Sequence, residues 1–236
     1  MAGASTLRNV SSVHQRPVVA CDLDEVLGQY LATYTKWHNR VYGTHLKLSD
    51  FYTYRFWEVQ GGTTTLLSST RPEGHLEYVQ KIGKFADVHI VTSRQEQIRQ
   101  DTYDWIFTNF GIPSSRVHLG NHFGLSGKKI PKADICKAIG ASLLIDDNPT
   151  YIKDAVTRGF GGILFDYHHE YGWSHDPECP LPSEAVVATD WEEVYEYVRN
   201  MVPLAVTVSP SSSSSPTATT KQDEYKDLGE GIEVRV

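Results

Sequence analysis

An α/β sandwich, with a parallel sheet covered by helices on both faces, is the fold class that the sequence predicts, and three observations predict it. Short apolar runs without alternation recur through residues 17–202, as expected of strands buried on both faces of a parallel sheet. Helix-length amphipathic stretches separate these runs, which makes a βαβ series. Three of the runs also end in clusters of carboxylates and hydroxyls, at the strand ends where open α/β sheets bind their ligands.

The first strand is expected in Pro17-Val18-Val19-Ala20-Cys21. An insert over 28–75 follows, long enough for a small helical cap, and a helix over Leu76–Lys84 returns the chain to the sheet. The run Val88-His89-Ile90-Val91 predicts a second strand, and Glu96–Phe110 a helix closed by Gly111, a residue that tolerates the left-handed backbone of a C-terminal cap. Val117-His118-Leu119 predicts a third strand, Lys132–Ile139 a helix ending near Gly140, and Ser142-Leu143-Leu144-Ile145 a fourth strand. Pro149–Thr157 opens with proline, which suits the first helical turn. Gly162-Ile163-Leu164-Phe165 predicts the fifth strand, and Trp191–Met201 a last helix with Asp190 as N-cap.

Composition narrows the function classes. The chain of 236 residues carries a net charge of −7, which opposes binding to a nucleic-acid polymer or an anionic membrane. From residue 203 onward the composition turns to Ser, Thr and Pro, beginning with TVSPSSSSSPTATT at Thr207. Such a segment buries too little apolar surface to offset chain entropy, so 203–236 reads as a disordered tail. The tail holds a net −2, which leaves −5 for the remainder. Residues 1–16 read as a disordered leader, rich in small residues and free of acids; Arg8 and Arg16 leave organelle targeting open. Cys21, Cys136 and Cys179 cannot close a disulfide framework and lack paired zinc spacing, so a reducing, cytoplasmic setting is expected. A homodimer stays open.

The chemistry sits at the strand ends. After the first strand comes Asp22-Leu23-Asp24-Glu25-Val26, after the second Thr92-Ser93-Arg94, and after the fourth Asp146-Asp147-Asn148-Pro149. A parallel sheet brings all three to one edge. Asp22 and Asp24 are two apart, so extended backbone points both the same way. Four carboxylates (Asp22, Asp24, Asp146 and Asp147) gathered there need a cation, and hard oxygen donors favour Mg²⁺. Thr92 and Ser93 suit phosphate oxygens. Asp is also common at turns and caps in any α/β protein; three matched clusters in order are what point to a site.

This motif order resembles the haloacid dehalogenase (HAD) superfamily of phosphatases and phosphotransferases, with its three-layer Rossmann-like parallel sheet. The stretches VVACDLDEVLGQY, VTSR and LLIDDNP are most similar to the 5′(3′)-deoxyribonucleotidase branch and its poorly characterised eukaryotic relatives. The resemblance spans roughly residues 17–200 and implies the following roles. Asp22 is the nucleophile that forms an aspartyl-phosphate. Asp24 is the general acid and then the general base. Mg²⁺ is held by Asp22, Asp24 through its carbonyl, and one of Asp146 and Asp147. Thr92 and Ser93 bind phosphate, as does Lys132, which stands at the start of the helix leading into the fourth strand; Lys129 is the alternative, and Lys137 reads as an exposed helix charge. Glu25 departs from the small residue of the deoxyribonucleotidases, which bears on the substrate and not on the chemistry.

Nine of the 26 aromatic residues lie between Tyr30 and Trp57, so the insert is a packed or base-stacking element and not a linker. Arg55-Phe56-Trp57 resembles the aromatic base pocket of the deoxyribonucleotidases, which assigns Phe56 and Trp57 to substrate binding. The stretch Gly61–Gly74 is shorter than in those relatives. Asn121-His122 is placed at the cleft; the neighbours His168 and His169, followed by Glu170, suggest a metal pair, but adjacent residues place both rings on one ion less easily than an i, i+4 pair does, so a surface loop is the preferred reading. The resulting function is a Mg²⁺-dependent phosphomonoester hydrolase for a small phosphorylated substrate, with a nucleoside monophosphate first. Sugar phosphates and a phosphoprotein stay open, as does a non-catalytic binding or regulatory module on the same fold.

Overall fold

The computed structural model describes residues 16–52, 74–122, 124, 127–175 and 179–201. The expected leader before Arg16, the Ser-rich tail and the Phe56-Trp57 pair lie outside the described residues. Arg16 itself is tied to the turn at residues 83–87 that leads into the second strand. Its guanidinium donates to the carbonyls of Gly83, Lys84 (3.0 Å) and Ala86 (2.8 Å) and pairs with Asp87 at 3.2 Å.

Six parallel strands are built in the order β3-β2-β1-β4-β5-β6. In chain order these are β1 Val18–Cys21, β2 Asp87–Thr92, β3 Val117–Leu119, β4 Ala141–Asp146, β5 Gly161–Phe165 and β6 Val186–Ala188. The helices are α1 Tyr30–Tyr42, α2 His75–Ile82, α3 Arg99–Phe110, α4 Lys132–Ala138, α5 Pro149–Thr157 and α6 Trp191–Met201. Along each central strand the side chains alternate between two apolar cores, as a period of two requires. Val19, Cys21, Leu143, Ile145, Ile163 and Phe165 face one core, with Val79 and Ile82 of α2, Ile106 of α3 and Val194 of α6. Ala20, Leu144 and Leu164 face the other, with Ile135 of α4 and Ile152 and Ala155 of α5. Each fully buried Val, Leu, Ile or Phe contributes about 1.5–3 kcal/mol, so helices must cover both faces.

Caps set the helix ends. Gly111 ends α3 with a φ of 68° and donates to Phe107 O at 2.9 Å. The Asn148 side chain accepts from Thr150 N at 2.9 Å and starts α5 ahead of Pro149. Asp190 accepts from Glu193 N at 2.9 Å ahead of α6. The expected helix over Glu96–Phe110 divides into a 3-10 turn, Glu96–Ile98, followed by α3. The added edge strand, β6, has three residues with Val187 exposed, too short and too little buried to leave a periodic signal. No helix among the described residues is long and apolar enough to cross a membrane.

The strand order reverses direction between β1 and β4, and that switch point opens a crevice at the carboxyl ends of both. Cys21 pairs with Ile90 of β2 and Ile145 of β4, so Asp22, Thr92 and Asp146 emerge on one edge. α5 packs on β5 closely enough that a Cβ on Gly162 would stand 2.8 Å from Ile152 Cγ2 and 2.9 Å from Val156 Cγ2. Gly162→Ala should therefore destabilise the protein by about 1–3 kcal/mol, read as a lower midpoint in urea unfolding; an unchanged midpoint contradicts the close approach.

Candidate active site

The site is built from residues at and just beyond the carboxyl ends of β1, β2 and β4. The chain leaves β1 with Asp22 N donating to Ile145 O at 2.9 Å, then turns sharply: Leu27 N and Gly28 N both donate to Leu23 O. Glu25 stands inside this turn with a φ of 62°. The turn sends the two expected carboxylates to different partners. Asp22, buried, points to the β4 side, where it meets Asp146 and Asp147, both fully buried. One carboxylate oxygen from each of these three lies within 4.8 Å of the others. Asp24 lies apart from that triad: its Oδ2 accepts from Arg94 Nε at 2.9 Å and its Oδ1 from Arg94 Nη2 at 2.7 Å.

Lys132 is the counter-charge of the triad. Its Nζ lies 2.8 Å from Asp22 Oδ2 and 2.6 Å from Asp146 Oδ2, with the lysine 1% exposed. Burial disfavours its ammonium, but the attraction of Asp146 and Asp22 outweighs that and raises its pKa above the ordinary lysine range. Lys129 is exposed, on the wall of a cavity of about 510 Å³ beside Lys132. Neighbours hold two further oxygens of Asp146 and Asp147. Asp146 Oδ1 accepts from Asn148 N at 3.0 Å, and Asp147 Oδ2 accepts from the Trp173 indole N–H at 3.0 Å. Asp22 Oδ1 is buried without a protein hydrogen-bond partner. Burial raises the pKa of all three acids, Asp22 to about 7 against the pull of Lys132. With all three ionised, one ammonium would leave a deficit of two positive charges, and the raised pKa values express the cost of that state without a cation. An all-oxygen donor set with that deficit and one orphaned buried oxygen fits a hard divalent cation.

Thr92 ends β2, buried, and its Oγ1 accepts from Arg94 N at 3.3 Å. Ser93 Oγ lies 3.3 Å from Tyr151 Oη and 3.2 Å from His122 Nδ1. His122 Nε2 is 2.9 Å from the Ile130 carbonyl, which can only accept, so Nε2 carries the proton and Nδ1 accepts from Tyr151 Oη at 2.6 Å. The Tyr151 ring lies under Lys132 Nζ, 4.6 Å from its centroid. Sequence reasoning quoted Arg94 in a motif and set His122 at the cleft without assigning either a role; it missed Tyr151 and Trp173. Trp173 lies in the loop after β5, and the adjacency of β5 to β4 is the one signal that places that loop over Asp147.

No family model and no curated protein matches the sequence. Solved structures do match. A HAD-like protein of unknown function from Agrobacterium tumefaciens shares 14% identity over 79% of this chain and 99% of that one, with a TM-score of 0.51. A Bacillus subtilis protein described as a HAD-hydrolase, bound to magnesium, shares 12% over 78% and 99%, with a TM-score of 0.53. The chain has the haloacid dehalogenase-like fold. In this HAD-like fold the insert after β1 and the loop after β5 meet: Leu31, Tyr34 and Phe51 pack with Tyr171 and Trp173. Tyr171 Oη donates to the Glu25 carbonyl at 2.7 Å.

Glu25, the departure noted in the sequence, is engaged by the start of α1. Its Oε1 accepts from Leu31 N in the first turn of α1 at 2.6 Å, a cap that Gln29 at the N-cap position does not provide. Burial pushes the Glu25 carboxyl up to about 8 from 4.5. Between those values the folded protein holds a proton that the unfolded chain has lost, so stability falls as pH rises through that window. Glu25→Gln keeps an acceptor for Leu31 N and removes the titration. Its stability relative to wild type should rise by roughly 1 kcal/mol per pH unit between about pH 5 and 8, measured by urea unfolding; a pH-independent difference contradicts the assignment.

Lys132→Met should cost about 3–5 kcal/mol in chelator, because it leaves two buried carboxylates facing each other. The loss is read by thermal unfolding at neutral pH, and it should shrink when Mg²⁺ is added. A variant as stable as wild type in chelator contradicts the charge balance.

Proposed function

We propose that the protein is a Mg²⁺-dependent phosphomonoester hydrolase that works through an aspartyl-phosphate. The observation that carries this reading is the convergence of Asp22, Asp146 and Asp147 with Lys132 at the β1/β4 switch point, with one oxygen of Asp22 left without a partner. Asp22, the Asp24 carbonyl and one of Asp146 and Asp147 would hold the cation, which neutralises the site so that an anionic phosphate can approach an anionic nucleophile and which favours the ionised form of Asp22.

Asp22 attacks phosphorus in line; a P–O bond to Asp22 forms as the bond to the leaving alkoxide breaks. Asp24 gives the alkoxide its proton, then takes one from water, whose oxygen displaces Asp22 from phosphorus and releases inorganic phosphate. To do so Asp24 must take up a proton, which removes the charge that makes its two guanidinium bonds strong and loosens it from Arg94. Thr92 and Ser93, at the end of β2, and Lys132 are the phosphate contacts in this reading. The substrate is a small phosphorylated molecule, with a nucleoside monophosphate first; the resemblance to the deoxyribonucleotidase branch supports it, and Phe56 and Trp57 are its base contacts. A cytoplasmic setting is part of the same reading, supported by three free cysteines.

One contact favours a second reading, a phosphate-binding HAD-like fold without turnover: Arg94 engages both oxygens of Asp24. A panel of nucleotides, sugar phosphates, a phosphopeptide and p-nitrophenyl phosphate decides between them. The wild type should hydrolyse at least the generic ester with Mg²⁺, and Asp22→Asn should lose about 10³-fold or more in kcat. Equal turnover by Asp22→Asn sinks the nucleophile assignment, and Mg²⁺ binding with no turnover across the panel establishes the second reading.

A further inference from the structure

The loop between β5 and β6 carries a second cluster of ligating atoms. Asp166 follows β5 directly and is fully buried, while His169 and His175 lie over it with their side chains 66% and 61% exposed. His169 Nδ1 is 3.2 Å and His175 Nε2 is 3.0 Å from the same oxygen, Asp166 Oδ2. Asp166 Oδ1 accepts from Tyr171 N at 3.1 Å. The three donor atoms lie within 4.8 Å of one another. The neighbours His168 and His169 are not the pair: His169 joins His175, six residues on, and the spacing is Asp-x₂-His-x₅-His.

Three properties of this cluster point to a metal. Among the described residues, His169 and His175 are the ion-pair partners of Asp166, and no Lys or Arg reaches it. A divalent cation would offset a buried carboxylate and take both ring nitrogens as ligands at once. Two imidazoles and one carboxylate are the donor set of zinc sites that keep an open position, and imidazole is a poor ligand for Mg²⁺. Both side chains are largely exposed, which leaves a route for the ion and a place for water.

We propose that Asp166, His169 and His175 form a second metal site, for a divalent transition ion of the zinc class, separate from the acidic centre at Asp22. Its role is to clamp the loop. The ligands bracket Tyr171 and Trp173, and these two side chains hold the Glu25 carbonyl and the Asp147 carboxylate. An ion joining Asp166 and His169 to His175 fixes the indole between them that orients Asp147, as outer partners orient ligands at other metal sites. The proposal is independent of the phosphatase reading.

Co²⁺ titration of the full chain in saturating Mg²⁺ tests it, because nitrogen-ligated Co²⁺ of low coordination absorbs strongly in the visible and Co²⁺ in an all-oxygen octahedral site does not. The wild type should bind one equivalent with such a spectrum, and Zn²⁺ should compete it away and raise the melting temperature. His169→Ala and His175→Ala should each weaken Co²⁺ binding by at least ~10-fold and abolish the Zn²⁺ shift. Both rings are exposed, so these variants keep the fold, and they carry the test if Asp166→Asn does not. The proposal fails if the wild type shows no such spectrum, or if His169→Ala/His175→Ala retains the wild-type spectrum and affinity. Turnover is not read, so failure here leaves the phosphatase reading standing and failure of that reading leaves this one standing.

Discussion

Lys132 between Asp22 and Asp146 is the interaction on which the site depends. Two carboxylates brought to the ends of neighbouring parallel strands repel each other, and burial magnifies that repulsion because the surroundings screen it poorly. The ammonium at 2.8 and 2.6 Å makes the strand ends compatible with a closed core. It reaches them from the first residue of α4, so the helix that crosses from β3 to β4 has to begin where it does. The two apolar cores, the β1/β4 switch point and the start of α4 are thus parts of one arrangement. One lysine cannot balance three ionised acids, and a divalent cation would supply the charge that is still lacking.

Around this centre the structure divides its acids by partner. Asp22 and Asp146 go to Lys132, Asp147 to the Trp173 indole, Asp24 to Arg94 and Glu25 to the first turn of α1. Each pairing answers a different physical demand: a counter-charge, a neutral donor, a bidentate guanidinium and the free amide of a helix start. The last couples the insert to the site, since α1 is anchored by a residue one position from Asp24. The loop after β5 closes the same connection from the other side, with Tyr171 stacked on Trp173 at 4.7 Å between ring centroids. Movement of that loop therefore bears on Asp147 and on the Glu25 turn together.

Much of this was legible in the sequence. Val19-Ala20-Cys21 and Leu143-Leu144-Ile145 read as strands because both faces are covered, so no polar residue interrupts them; Pro149 and Asp190 marked helix starts through chemistry local to those residues. The edge strand β6 was not legible, because three residues with one exposed carry no period. The parting of Asp22 from Asp24 was not legible either. A spacing of two implies a shared direction only while the backbone stays extended, and the turn at Leu23–Gly28, with Glu25 left-handed, ends that condition. Trp173 and the Asp166–His169–His175 cluster were invisible for a further reason: their partners are set by loop closure, which no local pattern encodes.

By itself, then, the sequence determined the α/β class, the positions of five strands and the residue types that gather at their carboxyl ends, because burial and capping act on neighbours in the chain. Only the tertiary structure decided which carboxylate meets which partner: that Lys132 serves Asp22 and Asp146, that Arg94 holds Asp24, and that His175 and not His168 accompanies His169. Electrostatic and ligating contacts form between residues tens of positions apart and depend on ångström distances. Those distances follow from strand order and loop path, not from the spacing of letters.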